Sequence, residues 1–441
     1  MLYDLIVVGG GFSGVGAAIA AARHGSSVLL LEQGGALGGA AVNCLVNPFM
    51  PNGTRLNGAQ AYTELTQGLY QEIRDRLAAD FSACSGRCFH EEYLKVVLDR
   101  MCKEAGVKVL FHSTLVAAEM AGETISSIQV MQRDGLNRFA AKYYVDATGD
   151  GMLAYLAGCP MRLGRPADTL CQPMTLCFRI GNIDIPTFQE HRSEMQKLYK
   201  QFQEEGKIQN PRENVLIFNT LVDGVLHFNT TRIIKKNPVD PDDLSFAEME
   251  AREQMIEMFH FLKDNIPGFE KAQLLFSAEI GVRESRMVDG QYILSGEDLQ
   301  ACKRFEDVIA CGNYDIDIHN PAGSGTSHYY FPEGQYYDIP FRSLRPLKAD
   351  NLMVAGRCIS VTHEAQASIR IMPICCALGE AAGVAASVAA KQNARLDDIA
   401  IGDVQALPGR MALSWAHKCP GCAGRHRGRD GGQRSFWEKT W

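Results

Sequence analysis

The stretch that most constrains this chain is residues 5–33, LIVVGGGFSGVGAAIAAARHGSSVLLLEQ. An apolar run at 5–8 ends in glycines, an Ala-rich stretch of helical character follows at 12–23, and a second apolar run occupies 28–31. The spacing predicts a strand, a tight turn, a helix and a second strand within about thirty residues, as a parallel crossover requires. Gly9, Gly11 and Gly14 satisfy G-x-G-x-x-G in that context, with Phe12 and Ser13 inside the motif. Gly9 permits the turn, Gly11 lets the backbone approach a pyrophosphate at the helix N-terminus, and Gly14 lets helix and strand pack closely. Glu32, followed by Gln33, closes the second strand 21 residues after Gly11. A carboxylate there accepts from both ribose hydroxyls and argues against a 2′-phosphate, hence against NADP. NAD and FAD share this fingerprint.

Three further stretches separate the two. A glycine doublet, Gly38 and Gly39, follows the acidic residue in GGALGG (34–39) and resembles flavoproteins, where the chain passes close to the cofactor. YVDATGDG (144–151), with Ala147, Gly149 and Asp150, resembles the strand and glycine turn that brings many two-domain flavoproteins back to the adenine side. NLMVAGRCISVTHEAQASIRIMPICCALGEAAGVAA (351–386) resembles the closing strand and helix whose N-terminus points at the isoalloxazine ring. Gly356 and Arg357 lie in its turn, and Arg370, Ile371 and Met372 lead into Pro373 at the helix start. Reduced flavin carries negative charge at its N1 and C2 carbonyl region, which a helix N-terminus and Arg370 would stabilise. Arg370 reads equally as a surface arginine with its stem laid over apolar surface.

Together with EIGVRESRMVDGQYILSGED (279–298) and YYDIPFRSLRPLKADNLMVAGR (336–357), these stretches resemble the broad FAD-dependent oxidoreductase family of bacteria, over residues 3–405. The resemblance implies FAD as cofactor and an α/β fold. That fold is a Rossmann-like FAD-binding domain of the glutathione-reductase type with an inserted α+β substrate domain.

The chain's 441 residues exceed what one hydrophobic core usually supports. Amphipathic helices are expected at 62–77 and 91–104, and strands at 107–111, 114–120, 126–132 and 139–145. From 169 the pattern changes to longer strands and two charged helices, 185–205 and 246–264, separated by a hairpin-like stretch at 215–230. The expected division is 1–168 for the first part of the FAD-binding domain, 169–335 for the insertion, 336–405 for the closing strand and helix, and 406–441 for a tail. All three tryptophans lie in that Arg- and Gly-rich tail, which reads as disordered for want of an apolar face. Its Cys419, Cys422 and His426 offer one Cys pair without a second, too little for a metal knuckle, so no metal is expected.

A net charge of -7 gives no electrostatic reason to expect nucleic acid or an acidic membrane surface as partner. No basic leader precedes the first apolar run, and the apolar stretches read as too short or too Gly-broken to span a membrane. The fourteen cysteines then read as thiols of a reducing cytoplasm.

Chemistry follows from what is present. Cys44 has no partner cysteine a few residues on, since position 49 is Phe49, so a dithiol mechanism is disfavoured, although a lone Cys44 near the ring stays open. No second G-x-G-x-x-G follows a strand, so no internal NAD(P)H domain is expected and an external electron donor or acceptor is required. Arg283 and Arg286 in GVRESR could clamp a carboxylate or other anion; ion pairs with Glu279 and Glu284 are the alternative. His319 and His328, in an expected loop at 314–330, and His363, after the Gly356 turn, are general acid or base candidates. Arg342 is a further substrate candidate. The expected activity is hydride exchange between a small polar organic substrate and flavin N5. The alternatives are a flavoprotein of the tRNA-modifying or thiazole-forming type, or a flavin-binding module without turnover.

Overall fold

The computed structural model describes residues 2–56 and 61–406. The tail expected to be disordered, with its cysteine pair, lies outside them.

Leu5 to Val8 and Val28 to Leu31 are buried at every position, as strands covered on both faces must be. Leu2–Val8 pairs in parallel with Val28–Leu31 on one side and with Gly135–Asp146 on the other. Lys108–Leu110 extends the sheet beyond Val28–Leu31, and Leu352–Val354 joins it beside Gly135–Asp146, again in parallel. The crossover read at the N-terminus and its late return near 351 therefore build one sheet. Gly135–Asp146 is longer than the expected 139–145. Its first residues pair antiparallel with Thr124–Gln132, which pairs with Thr114–Ala121, so one strand serves both a meander and the parallel core.

The helix Phe12–Arg23 lies against Met372–Gln392 at backbone distance. A Cβ on Gly379 would fall 1.9 Å from the Ser13 carbonyl oxygen, one on Gly383 2.1 Å from that of Ala17, and one on Gly16 2.7 Å from that of Cys376. No side chain larger than hydrogen fits there. Met372–Gln392 is also long and apolar enough to cross a membrane, with a mean hydropathy of 1.5, contrary to the expectation that no stretch would be. It is 78% buried over that window, and its apolarity serves the core.

A second core is built on an antiparallel sheet ordered Ile217–Asn219, Leu226–Phe228, Thr175–Gly181, Gln273–Gly281, covered on one face by Ile185–Glu204 and Pro241–Asn265. Leu176, Phe178 and Ile180 enter that core, and the alternate positions Thr175, Cys177 and Arg179 face the other way. This core ends near Ile280, whereas Met287, Val288, Leu294, Leu299, Ile309 and Ile316 pack into the first. The chain thus leaves the insertion some fifty residues before the expected boundary at 335, because Arg286–Val288 pairs with Met161–Leu163 and not with the inserted sheet.

Two local expectations change. The helix expected at 62–77 is Leu69–Phe81; Gly68 precedes it at φ 66, and Thr63–Glu64 pairs with Gly53–Thr54 instead. The expected loop at 314–330 is a hairpin, Ile316–His319 with Thr326–Tyr329. Its alternation sends Ile316 and Ile318 to the core and sets Asp317 opposite His328, and His319 opposite Thr326.

Candidate functional site

The fingerprint turn is a cradle with one opening. Gly9 has φ +100 and touches the next strand's end, since its Cβ would lie 2.4 Å from the Ala147 carbonyl oxygen. A Cβ on Gly14 would lie 1.7 Å from the Gly9 carbonyl oxygen. At Gly11, by contrast, nothing comes nearer than the Gly39 Cα at 3.9 Å. The doublet brings the backbone beside this opening: Gly38 (φ +116) donates from its N–H to the Gly10 carbonyl at 2.8 Å, and Gly39 has φ +51. Buried Glu32 accepts from the Gly10 N–H at 2.6 Å and the Gly34 N–H at 2.7 Å, so its carboxylate stands at the lip of the opening. Gln33 is exposed. Phe12 and Ser13 are buried, Phe12 packing edge-on to Phe49 at 5.7 Å and Ser13 lying under Gly356. An unobstructed glycine at a helix N-terminus, a second glycine chain beside it and a carboxylate at its edge fit the ADP half of FAD.

The second and third stretches meet each other. Asp146, missed in the sequence, is fully buried and accepts from the Thr148 N–H, the Thr148 hydroxyl and the Ala154 N–H, which holds the Ala147 to Gly151 turn. Burial raises its pKa against those hydrogen bonds. Arg357 reaches over Gly149 (φ +81) to donate to Asp150 at 3.1 Å, and also donates to the Val282 carbonyl. Asp150 accepts from the Ser285 hydroxyl at 2.7 Å. Ile371 and Met372 are buried at the start of the closing helix. Arg370, just before them, turns to the hairpin and donates to Asp317 at 3.4 Å.

The hairpin carries the densest chemistry. His328 Nδ1 lies 2.5 Å from Asp315 and 3.8 Å from Asp317. His319 Nε2 lies 3.4 Å from Asp317, and its Nδ1 is 3.1 Å from the Thr326 hydroxyl. Burial, with Arg283 nearby, pushes His319 down to about 3, so its ring is neutral at physiological pH. The hydrogen bond to Asp315 raises His328. Asp317 is buried, which opposes its charge, yet His319, Arg370 and His328 outweigh this and hold its carboxyl well below the usual range. Ligand atoms of Asp315, Asp317 and His328 lie within 4.8 Å of one another, close enough to share an ion. Arg370 already meets Asp317 and His328 already meets Asp315, so the cluster reads as a hydrogen-bonded ion-pair network.

Arg283 joins this group. Its guanidinium donates to the Pro173 carbonyl at 2.6 Å, the Thr175 hydroxyl at 2.5 Å and Asn229 at 3.4 Å. Two buried amides fix its place: Gln366 donates to the Arg283 carbonyl at 2.7 Å and accepts from Gln172 at 3.1 Å, while Gln172 accepts from the His319 N–H at 3.3 Å. His363 Nδ1 meets Glu284 at 2.8 Å, both buried, and Glu284 also accepts from the Gln172 N–H, so His363 braces this frame.

Arg283, His319 and His328 are therefore brought together, with His363 one residue removed. Arg286 is not: its guanidinium stacks over Tyr155 at 4.3 Å. Arg342 pairs with Asp307 at 2.9 Å on the surface. Cys44 bonds weakly to the Ile280 carbonyl, and burial pushes its thiol up to about 12, so it is no thiolate at neutral pH. Asp317, Gln172 and Gln366 were not singled out in the sequence. The alternation D-I-D-I-H at 315–319 is the signal that would have marked Asp317 as sharing a face with His319.

A sequence profile described as FAD dependent oxidoreductase matches residues 4–407. No curated protein matches the chain. Among solved structures, a geranylgeranyl bacteriochlorophyll reductase-like protein from Thermoplasma acidophilum is 14% identical with a TM-score of 0.46, covering 94% of this chain and 84% of that chain. The flavin-dependent brominase Bmp2 is 14% identical with a TM-score of 0.43, over 95% and 84%. The p-nitrophenol 4-monooxygenase of Pseudomonas putida DLL-E4 is 11% identical with a TM-score of 0.42, over 93% and 82%.

Proposed function

Because the chain belongs to the FAD-dependent oxidoreductase family and its cofactor is FAD, we propose that it exchanges a hydride between a small polar organic substrate and the flavin, with an external electron partner completing the cycle. When bound, FAD supplies a two-electron donor and acceptor at its N5. Gly9, Gly11, Gly14, Gly38, Gly39 and Glu32 hold the ADP half. Asp150, Gly356, Arg357 and the N-terminus of Met372–Gln392 attend the flavin half, whereas Arg370, expected there from the sequence, turns to Asp317 on the substrate side.

The observation that supports a substrate reaction is the convergence of His319, His328, Asp317, Arg283 and Arg370 just before that helix N-terminus. His328, whose pKa the hydrogen bond to Asp315 raises, is the acid of the pair. His319, neutral and set by Thr326, orients substrate. His363 positions Glu284 and the two amides.

Anaerobic titration of the holoenzyme with hydroxy acids, sugars, steroids and enoates tests this. One class is expected to bleach the oxidised flavin band, or to restore it after photoreduction. A flavin that no substrate reduces and that only slow oxygen reoxidises overturns the proposal.

A further inference from the structure

Arg283 lies deep between the two cores yet keeps some accessible surface, and its three acceptors are a carbonyl, a hydroxyl and an amide oxygen, all uncharged. Among the described residues no carboxylate pairs with it. The nearby acids are already engaged. Asp315 is taken by His328, Glu213 by Arg232 at 3.0 Å and Arg212 at 3.9 Å, and Asp317 is shared by Arg370, His319 and His328. A buried guanidinium without a counter-charge is costly, and arginine does not escape the cost by losing its proton.

Arg370 is short of partners too. Among the described residues its one carboxylate contact is at 3.4 Å, and its buried Nε has no hydrogen bond. The Arg370 charge acts on Arg283, and one residue anchors both backbones. Gln366 grips the Arg283 carbonyl, and the Arg370 N–H bonds back to the Gln366 carbonyl one helical turn away.

From this we infer a carboxylate-binding subsite: Arg283 and Arg370 together take a monoanionic carboxylate group of the substrate, beside His319 and His328. The inference rests on the redox reading above and narrows its substrate class. A planar guanidinium matches a carboxylate edge, and the carboxylates of Asp315, Asp317 and Glu213 in the surrounding cluster disfavour a dianion such as a phosphate ester. Arg286, the partner expected from GVRESR, has no part in it.

The test uses FAD-loaded protein, with flavin absorbance and thermal midpoint both read. Benzoate and acetate are expected to shift the flavin spectrum saturably and raise the midpoint, with benzamide and acetamide about tenfold weaker or worse. Arg283→Gln should keep its FAD and lose about tenfold or more in benzoate affinity. Arg283→Lys, which keeps the charge without the fork, should lose less, and Arg252→Gln on the exposed face of Pro241–Asn265 should lose nothing. The subsite is overturned if the amides bind as well as the acids, if inorganic phosphate binds as tightly as benzoate, or if Arg283→Gln or Arg283→Lys binds benzoate like the parent. It is overturned as well if Arg283→Gln is purified without FAD, because Arg283 then serves the cofactor. Failure of the redox reading is seen separately, as a parent flavin that binds benzoate but that no substrate reduces.

Discussion

Gly11 and Gly14 belong to one motif and yet differ in what a methyl group would do. At Gly11, with φ -70, an alanine has open space and an ordinary backbone, so Gly11→Ala should change stability by no more than about 1 kcal/mol. The same methyl occupies room that the pyrophosphate needs, and FAD content should fall sharply. At Gly14 an alanine meets the Gly9 carbonyl, and Gly14→Ala should cost about 3 kcal/mol or more. Chemical denaturation alongside the absorbance ratio of flavin to protein separates the two; a Gly11→Ala protein that retains full FAD defeats the assignment. His328 supplies a pH test. Its pKa is raised, so the protonated form is present at low pH and is lost as pH rises through the shifted value. Activity needing that proton should fall on the alkaline side, and Asp315→Asn, which removes the hydrogen bond, should move that limb to lower pH. An unmoved limb in the kcat/KM profile would assign the proton elsewhere. At this scale the sequence was most legible where chemistry is local. The fingerprint glycines and Glu32 are readable from spacing alone, whereas the His363–Glu284 contact and the anchoring of both Arg283 and Arg370 by Gln366 join residues far apart in the chain, and no spacing encodes them.

Among elements, the pair Phe12–Arg23 and Met372–Gln392 shows what small residues accomplish. Gly379 and Gly383 were visible as interruptions of an apolar helix, and their use is to let two backbones touch. Gly379→Ala should therefore lower the thermal midpoint by several degrees or more, about 3 kcal/mol of overpacking, and loosen FAD with it. A midpoint equal to the parent's would mean the helices separate at no cost. The hairpin at Ile316–Tyr329 was harder to read. Asn320, Pro321, Gly323, Ser324 and Gly325 dominate the segment and signal a loop, but they occupy the turn only, and the flanking strands alternate correctly. The helix expected from 62 begins instead at Leu69, because Gly68 takes a positive φ and the preceding residues find a strand partner in Gly53–Thr54.

Over the whole molecule, two cores meet across a polar seam. Arg179 of the inserted sheet and Glu91 at the start of Glu91–Ala105 form an ion pair at 2.6 Å with both side chains about 5% exposed or less. Arg232, fully buried, donates to the carbonyls of Asn320, Gly323 and Gly325 and so fastens the hairpin turn to the insertion. Arg179→Met should cost about 3–5 kcal/mol by stranding Glu91, and the double variant with Glu91→Gln should recover much of it. Equilibrium unfolding followed by two probes would decide; a single variant as stable as the parent denies the seam its role. Length and the change of pattern near 169 are what suggest a two-part chain in the sequence, and which core 287–316 joins is not written there, since only the packing partner decides it.

The interlock of Phe12–Arg23 with Met372–Gln392 sets an order of events during synthesis. Phe12–Arg23 leaves the ribosome with a naked glycine-lined flank, and its mate Met372–Gln392 is translated about 350 residues later. Until then the cleft for the flavin half lacks its closing helix, so cofactor capture is a late step, and ribosome-bound chains stalled before residue 372 should stay colourless in a flavin-rich extract.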